Sequence, residues 1–382
     1  MKKTRRDRQQ DFWLWLLRPL VYLWMSMDAK RSVVRSPSVD FRRREPFVLL
    51  ANHTCMFDFV HVPMRFHNVP FIIASQTLFA QQPAKFFVTQ LAHVIPKSKG
   101  KSDSSTIFRI FEAVKKNYPI LIFPEGDITF FGATGHIEEA TMKLIKKLNL
   151  DVITCNVRGG YFSRPRWAIG KRRNRRLELV YDLAISKADL PALSIEDIGQ
   201  IVHKHLAHDA IEYQRQERIP HPGRRLAEGI ENILYICPEC LAVNSFKSER
   251  NAFFCDHCHQ SGHVDRYGFL HGFAFDNPRD WDHFQRQHQD ILLASHLNTT
   301  GMLYYIHPET ESHDLIGKVT LEYREGAFIL SGVIQKNIPA TAIETPILTI
   351  RRNFSFRYDD RHYLIKLDQG GMAFLRIAQS KY

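Results

Sequence analysis

Residues 47–58 read Phe-Val-Leu-Leu-Ala-Asn-His-Thr-Cys-Met-Phe-Asp. The apolar run at 47–51 suits a strand buried on both faces, and the polar residues after it mark the end of that strand. Runs at 71–74, 120–123 and 152–157 have the same character. Segments of helical periodicity lie between them, at 104–116 and 136–148. In the second, Ile137, Thr141, Leu144, Ile145 and Leu148 share one face. Short buried strands alternating with amphipathic helices predict an α/β domain on a mostly parallel sheet. Such sheets receive ligands at the carboxyl ends of their strands, where His53 stands.

His53 and Asp58 are separated by four residues. Five helical positions advance about 500°, so a continuous helix would set them on different faces. A turn entering a helix brings Asp58 back to the imidazole, holding one ring nitrogen's proton and freeing the other as a base. Taken alone, the pair also fits a capped loop histidine, since the chain has 19 histidines. A second segment, Leu-Ile-Phe-Pro-Glu-Gly-Asp at 121–127, follows another buried strand. It presents the Glu125 carboxylate on a tight turn that Gly126 permits, either to bind an acceptor hydroxyl or to support the site.

Together, Asn-His-x4-Asp at 52–58 and Phe-Pro-Glu-Gly at 123–126 resemble the glycerolipid (1-acyl-sn-glycerol-3-phosphate) acyltransferase family. The resemblance extends to Ile-Pro-Lys-Ser-Lys at 95–99, where that family has a basic phosphate-binding block, and to the strand at 152–157. Gly-Gly-Tyr-Phe-Ser-Arg-Pro-Arg-Trp at 159–167, followed by paired cysteines, is similar to a bacterial branch with a C-terminal zinc ribbon. The resemblance implies transfer of an acyl group from a thioester, acyl-CoA or acyl-carrier protein, to a lysophospholipid hydroxyl. His53 is then the base and Asp58 its orienting carboxylate. Asn52 positions the loop, Glu125 and Gly126 shape the acceptor site, and Lys97 and Lys99 bind phosphate. No catalytic cofactor is implied. Lys97 and Lys99 also fit ordinary solvated loop lysines. The family's arginine two places after the Pro-Glu-Gly glycine is replaced by Ile128, which cannot pair with phosphate. Phosphate then falls to Lys97, Lys99, Lys101 or Arg158, or the acceptor carries none. Cys55, inside the motif, reads as a small buried filler.

The chain carries a formal net charge of +12, which favours anionic partners. Basic residues at 2–6 and 30–35 flank an apolar stretch at 12–27 interrupted by Arg18 and Pro19. That stretch is shorter than the roughly 20 residues a crossing needs, and charge on both flanks gives it no sidedness. Its tryptophans favour the lipid–water boundary, so residues 1–35 read as an interfacial anchoring segment, against the alternative of a helix on the protein's own core. The expected setting is the cytoplasmic face of the cell membrane, peripheral or monotopic, with a phospholipid surface as partner.

Cys237, Cys240, Cys255 and Cys258 form C-x2-C, x14, C-x2-C, the spacing of a four-thiolate structural zinc site. This pattern, with only two further cysteines, fits a reducing compartment. Beyond a helix at 277–293, short alternating runs at 318–323, 327–331, 347–352, 355–358 and 363–367 predict an antiparallel β domain. The expected division is anchor 1–35, acyltransferase domain 36–232, four-cysteine zinc ribbon 233–268 and β-rich domain 269–382. A nucleic-acid-binding reading, prompted by ribbon and charge, is weakened by Glu239, Glu249, Asp256 and Asp265 on the ribbon; no nucleic acid is expected. An inactive lipid-binding adaptor is the other alternative, kept open by Ile128.

Overall fold

A computed structural model of the chain describes residues 2–75, 93–97, 104–172, 174–307 and 312–380, with Ser75, Pro96 and Lys97 described by backbone alone. The chain divides into two compact units. The first comprises Met1–Arg164 and Asn174–Glu217, the second Pro165–Arg173 and Arg218–Tyr382.

The first unit is built on a seven-stranded sheet of order β1-β7-β6-β2-β5-β3-β4. Its strands are β1 (Lys30–Arg35), β2 (Val48–Ala51), β3 (Phe71–Ser75), β4 (Val94–Lys97), β5 (Ile120–Ile122), β6 (Val152–Arg158) and β7 (Arg176–Ile185). Strands β6, β2, β5, β3 and β4 run parallel, β7 is antiparallel to β6, and β1 is parallel to β7. The sheet is therefore mixed and mostly parallel. Its central strands are mainly apolar because both faces are covered. Leu49, Ala51, Leu121, Ile153 and Cys155 join Phe47, Phe66 and Tyr181 on one side. Val48, Leu50, Ile120, Ile122 and Val152 pack on the other against three helices. In chain order after two that precede them, these are α3 (Ser104–Lys115), α4 (Glu139–Leu148) and α6 (Ile195–Leu206). Helix α4 begins three residues later than its periodicity suggests, and Met142 rather than Thr141 is buried with Leu144, Ile145 and Leu148.

Helix α1 (Arg5–Asp28) is longer than the apolar stretch that marks it. A capping box starts it: Thr4 accepts from the Asp7 N–H while Asp7 accepts from the Thr4 backbone. Several of its polar residues contact the protein. Lys116 pairs with Asp7 at 3.1 Å and Tyr118 donates to Asp11 at 2.8 Å. Arg18 donates to the Met64 and Phe66 carbonyls, and Tyr22 to Met64. Asp28 pairs with His61, Arg164 and Arg175. The apolar residues Phe12, Trp15, Leu16, Leu20, Leu23 and Met27 face outward and are exposed. The helix thus docks through a mixed face, polar contacts beside the fully buried Met25 and Trp24 on Phe57, and leaves an apolar face outward. Among the described residues no helix is long and apolar enough to cross a membrane.

The second unit holds two antiparallel sheets. The smaller has order β11-β10-β9-β8, from β8 (Phe246–Glu249), β9 (Ala252–Cys255), β10 (Ser261–Val264) and β11 (Leu270–His271). The larger has seven strands between Leu297 and Leu367, and the apolar helix Gly371–Gln379 buries Met372, Phe374 and Leu375. The expected antiparallel runs thus lie in one sheet with two strands, Leu297–Ile306 and Lys336–Pro339, that the sequence did not mark. The run expected at 347–352 is instead the strand Glu344–Thr349 followed by a turn. The expected helix at 277–293 is two helices, Pro278–Gln287 and Gln289–Ala294, broken at His288. The segment Pro165–Arg173 is tied into this unit by Arg166 donating to the Leu348 carbonyl and Arg351 to Ala168.

Candidate active site

Strand β2 ends at Ala51, and the next residues turn into the one-turn helix α2 (Asp58–His61). The turn is organised by one carboxylate oxygen. Asp58 Oδ2 accepts the Thr54 N–H at 2.7 Å and the Cys55 N–H at 2.8 Å, and lies 3.1 Å from His53 Nδ1. Cys55 Sγ donates to the other oxygen at 3.0 Å. Asp58 is fully buried, and burial next to it pushes the Cys55 thiol well up, so Cys55 stays a neutral donor. The His53 ring stacks on Phe123, with centroids 4.2 Å apart. With Nδ1 given to Asp58, Nε2 has no protein partner among the described residues, and the side chain keeps 16% exposure. An imidazole fixed at one nitrogen and open at the other suits proton abstraction.

The neighbouring residues hold this loop. Asn52 donates to the Val157 carbonyl at 3.0 Å and accepts the Val157 N–H, pinning the end of β2 to β6. Both ends of its amide are thus engaged, and Asn52 acts on the loop's position. Glu125 accepts the His53 N–H at 2.9 Å through one oxygen and the Gly135 N–H at 2.6 Å through the other. Burial raises its pKa. Both of its carboxylate oxygens are thus engaged by backbone donors. Gly126, at φ 72°, closes the turn by donating to the Phe123 carbonyl. Thr129 donates to the His53 carbonyl at 3.0 Å, so Ile128 sits beside the imidazole loop. The Lys97 backbone ends β4 at the same edge of the sheet as His53; its side chain, and Lys99 and Lys101, lie outside the described residues.

Gly160 is a member of the site that the sequence did not single out. A Cβ there would lie 2.0 Å from Thr54 Oγ1, so only glycine lets the segment after β6 approach the His53–Asp58 turn. Gly159, at φ 77°, makes the sharp exit from β6. The glycine pair was noticed only as part of a motif; its contact joins residues a hundred positions apart.

In the second unit, the ligating atoms of Cys237, Cys240, Cys255 and Cys258 all lie within 4.8 Å of one another. Two sulfur–sulfur edges measure 3.9 Å (Cys237–Cys258) and 3.7 Å (Cys240–Cys255). A tetrahedron with metal–sulfur bonds of about 2.3 Å has edges of about 3.8 Å. The two pairs adopt the same turn. Leu241 (φ 59°) donates to the Cys237 carbonyl, and His259 (φ 61°) donates to the Cys255 carbonyl, each at 2.9 Å. Ser245 Oγ sits 3.1 Å from the Cys255 sulfur. Four thiols at this spacing fit a tetrahedral metal ion.

Residues 33–158 match the protein family described as Acyltransferase. No curated protein matches the chain. Among solved structures, the chain is similar to the 1-acyl-sn-glycerophosphate (LPA) acyltransferase of Thermotoga maritima, with a TM-score of 0.40 and 14% identity over 53% of this chain and 81% of that one. The matched segment lies within the first unit and contains Asn52, His53, Asp58, Glu125 and Gly126.

Proposed function

We propose that the chain is a glycerolipid acyltransferase acting at a membrane surface, with His53 as general base. The observation that carries the reading is the His53–Asp58 pair, 3.1 Å apart with Nε2 open, inside the segment that matches the acyltransferase family. In the proposed step Nε2 takes the proton of a lysophospholipid hydroxyl. The oxygen attacks the carbonyl carbon of an acyl thioester, from acyl-CoA or acyl-carrier protein, and the carbon–sulfur bond breaks. The thiolate leaves with the proton that His53 held. Asp58 keeps the imidazole in the required tautomer and balances its charge while protonated, a task that fits its burial. Asn52, Glu125 and Gly126 hold the loop, and Lys97 and Lys99 are the proposed phosphate ligands.

The acceptor assigned is 1-acyl-glycerol-3-phosphate, giving phosphatidic acid, with Ile128 arguing for a panel of acceptors in the test. Turnover is measured with lysophosphatidic acid and with neutral lysolipids, using both donor types. Transfer to lysophosphatidic acid supports the reading, and transfer only to an acceptor without phosphate reassigns the substrate. No transfer to any acceptor, with vesicle binding intact, would leave a lipid-binding adaptor.

Two further assignments belong to the same reading. The outward apolar face of α1, with basic residues at both ends, supports docking on the cytoplasmic face of the cell membrane. The four cysteines would hold structural zinc. A zinc ion held by these four cysteines would link the two turns, and a closed thiolate shell fits folding rather than catalysis.

A further inference from the structure

A cavity of about 330 Å³ lies between α1 and the sheet, far from His53 along the strands. Its wall includes Arg44, His67, His93 and Asn117, the residues that run into β2, β3, β4 and β5. These four strands are parallel, so their amino ends share one edge of the sheet and His53 stands at the other. Helix α1 reaches both edges. Asp7 and Asp11 pair with Lys116 and Tyr118 at the cavity end, while Trp24 packs on Phe57 and Asp28 on His61 beside the His53 turn. The 24 residues of the helix span about 36 Å. A surface that takes its apolar face therefore meets the cavity as well as the candidate active site.

The cavity's charge is one-sided. Lys3, Arg18 and Arg44 line it, and Asp11 is its one carboxylate among the described residues. That carboxylate is already engaged, by Tyr118 at 2.8 Å, Lys3 at 2.9 Å and His93 at 3.2 Å. Arg18 is locked on the wall by the Met64 and Phe66 carbonyls. Arg44 is held through its backbone, whose carbonyl accepts from Asn68 and Asn117, while its exposed guanidinium meets no acceptor among the described residues. A fixed excess of positive charge with a spare guanidinium suits a phosphate. The remaining wall says which kind. Leu14 and Trp15 also line the cavity, and Trp15 is 70% exposed beside the apolar face of α1.

We infer that this cavity binds the phosphate of an anionic membrane phospholipid, with the acyl chains running along Trp15 and the outer face of α1. It is a second lipid site, distinct from the acceptor site, and fixes how the protein lies on the bilayer. The inference rests on the proposed membrane docking through α1.

The test is sedimentation of the full chain with vesicles of phosphatidylcholine alone and with added phosphatidylglycerol. Wild type should bind both and prefer the anionic ones. Arg44→Glu with His67→Glu should weaken binding to anionic vesicles about tenfold, from charge lost near the surface. Binding to neutral vesicles and turnover of a soluble short-chain acceptor should not change, and Arg44→Lys should retain most of the preference. If wild type binds and the double variant keeps its preference for phosphatidylglycerol, the headgroup site is wrong and the docking reading survives. If wild type sediments with neither vesicle, both fall. If inorganic phosphate protects the site from vesicles at low millimolar concentration in wild type, the ligand is a soluble phosphate and the lipid assignment is overturned.

Discussion

His53 Nδ1 lies 3.1 Å from Asp58 Oδ2, and that same oxygen receives the backbone N–H groups of Thr54 and Cys55. The carboxylate therefore orders the turn and the imidazole together, which separates the expected effects of two substitutions. In Asp58→Asn, the amide oxygen can keep accepting all three contacts, with the NH2 turned toward the Cys55 sulfur. What disappears is the negative charge that balances a protonated His53.

His53→Ala should lower kcat by about 10²–10⁴-fold, the usual contribution of a general base, with the fold unchanged. Asp58→Asn should lose less, because the base remains. Steady-state kinetics beside circular dichroism read both. A His53→Ala enzyme within threefold of wild type, on the order of 0.7 kcal/mol, would remove His53 from the chemistry.

Gly160→Ala tests whether the turn's position matters. A Cβ 2.0 Å from Thr54 Oγ1 must displace the turn that carries His53, and an ångström of misplacement costs on the order of 10²-fold in rate. Removing the obstructing side chain with Thr54→Gly should restore part of the kcat lost in Gly160→Ala. Failure of the double variant to recover, with both singles folded, would mean that the glycine serves something other than this contact.

Much of this was legible in the chain, and the gaps have physical causes. The central strands announced themselves because a parallel sheet covered on both faces leaves few polar positions to confuse the pattern, Thr154 and Asn156 in β6 among them. Strand β1 did not, since Lys30–Arg35 is an edge strand with exposed basic residues. Strand β7 begins at Arg176, at the end of the basic run 171–176, and the run hid the alternation of Leu177, Leu179 and Tyr181. Helix α1 departs from the usual rule: its buried side carries Asp7, Gln10 and Asp28 beside Met25, with ion pairs to Lys116 and His61, so apolar periodicity located the helix but not its docking face. The imidazole and its carboxylate were visible as a motif. The Gly160–Thr54 and Asn52–Val157 contacts join distant segments and leave no local signal.

For the cysteine cluster, one zinc per chain is expected by elemental analysis of protein purified without added metal. Cys240→Ser should lower that stoichiometry and the thermal stability of the second unit, since structural zinc contributes about 10–16 kcal/mol to small modules that bind it. Protein that contains iron, or is metal-free yet equally stable, would argue against the assignment.

His208 gives the first unit a pH dependence. Its Nε2 is buried without a hydrogen-bond partner among the described residues, and desolvation, helped by the Arg158 charge, lowers its pKa to about 4. A histidine depressed when folded binds fewer protons than the unfolded chain between its two pKa values. Stability therefore falls as pH drops from about 6.5 toward 4, with a slope of at most about 1.4 kcal/mol per pH unit from this group. Denaturant titrations at several pH values should show His208→Phe with a shallower acid-side loss than wild type. Equal slopes would mean that this imidazole is not the titrating group.

The membrane reading of α1 needs a subtler change than truncation. Deleting the helix would strand His61, Arg164 and Arg175, which share Asp28, and Lys116, which pairs with Asp7, so loss of binding could reflect unfolding. Substituting only the outward residues avoids this. Trp15, Leu16, Leu20 and Leu23 are 70%, 45%, 62% and 58% exposed, so changing them to glutamine removes little packing. Each contributes about 1.5–3 kcal/mol if fully buried in an apolar phase, and less at an interface where burial is partial. The quadruple variant should keep its melting temperature within a few degrees and lose sedimentation with anionic vesicles. Wild type should weaken in high salt without being released, because the apolar contribution survives screening while the basic flanks do not. A variant that sediments as well as wild type would mean that the membrane contact lies elsewhere on the molecule, and that this exposed face serves a different partner.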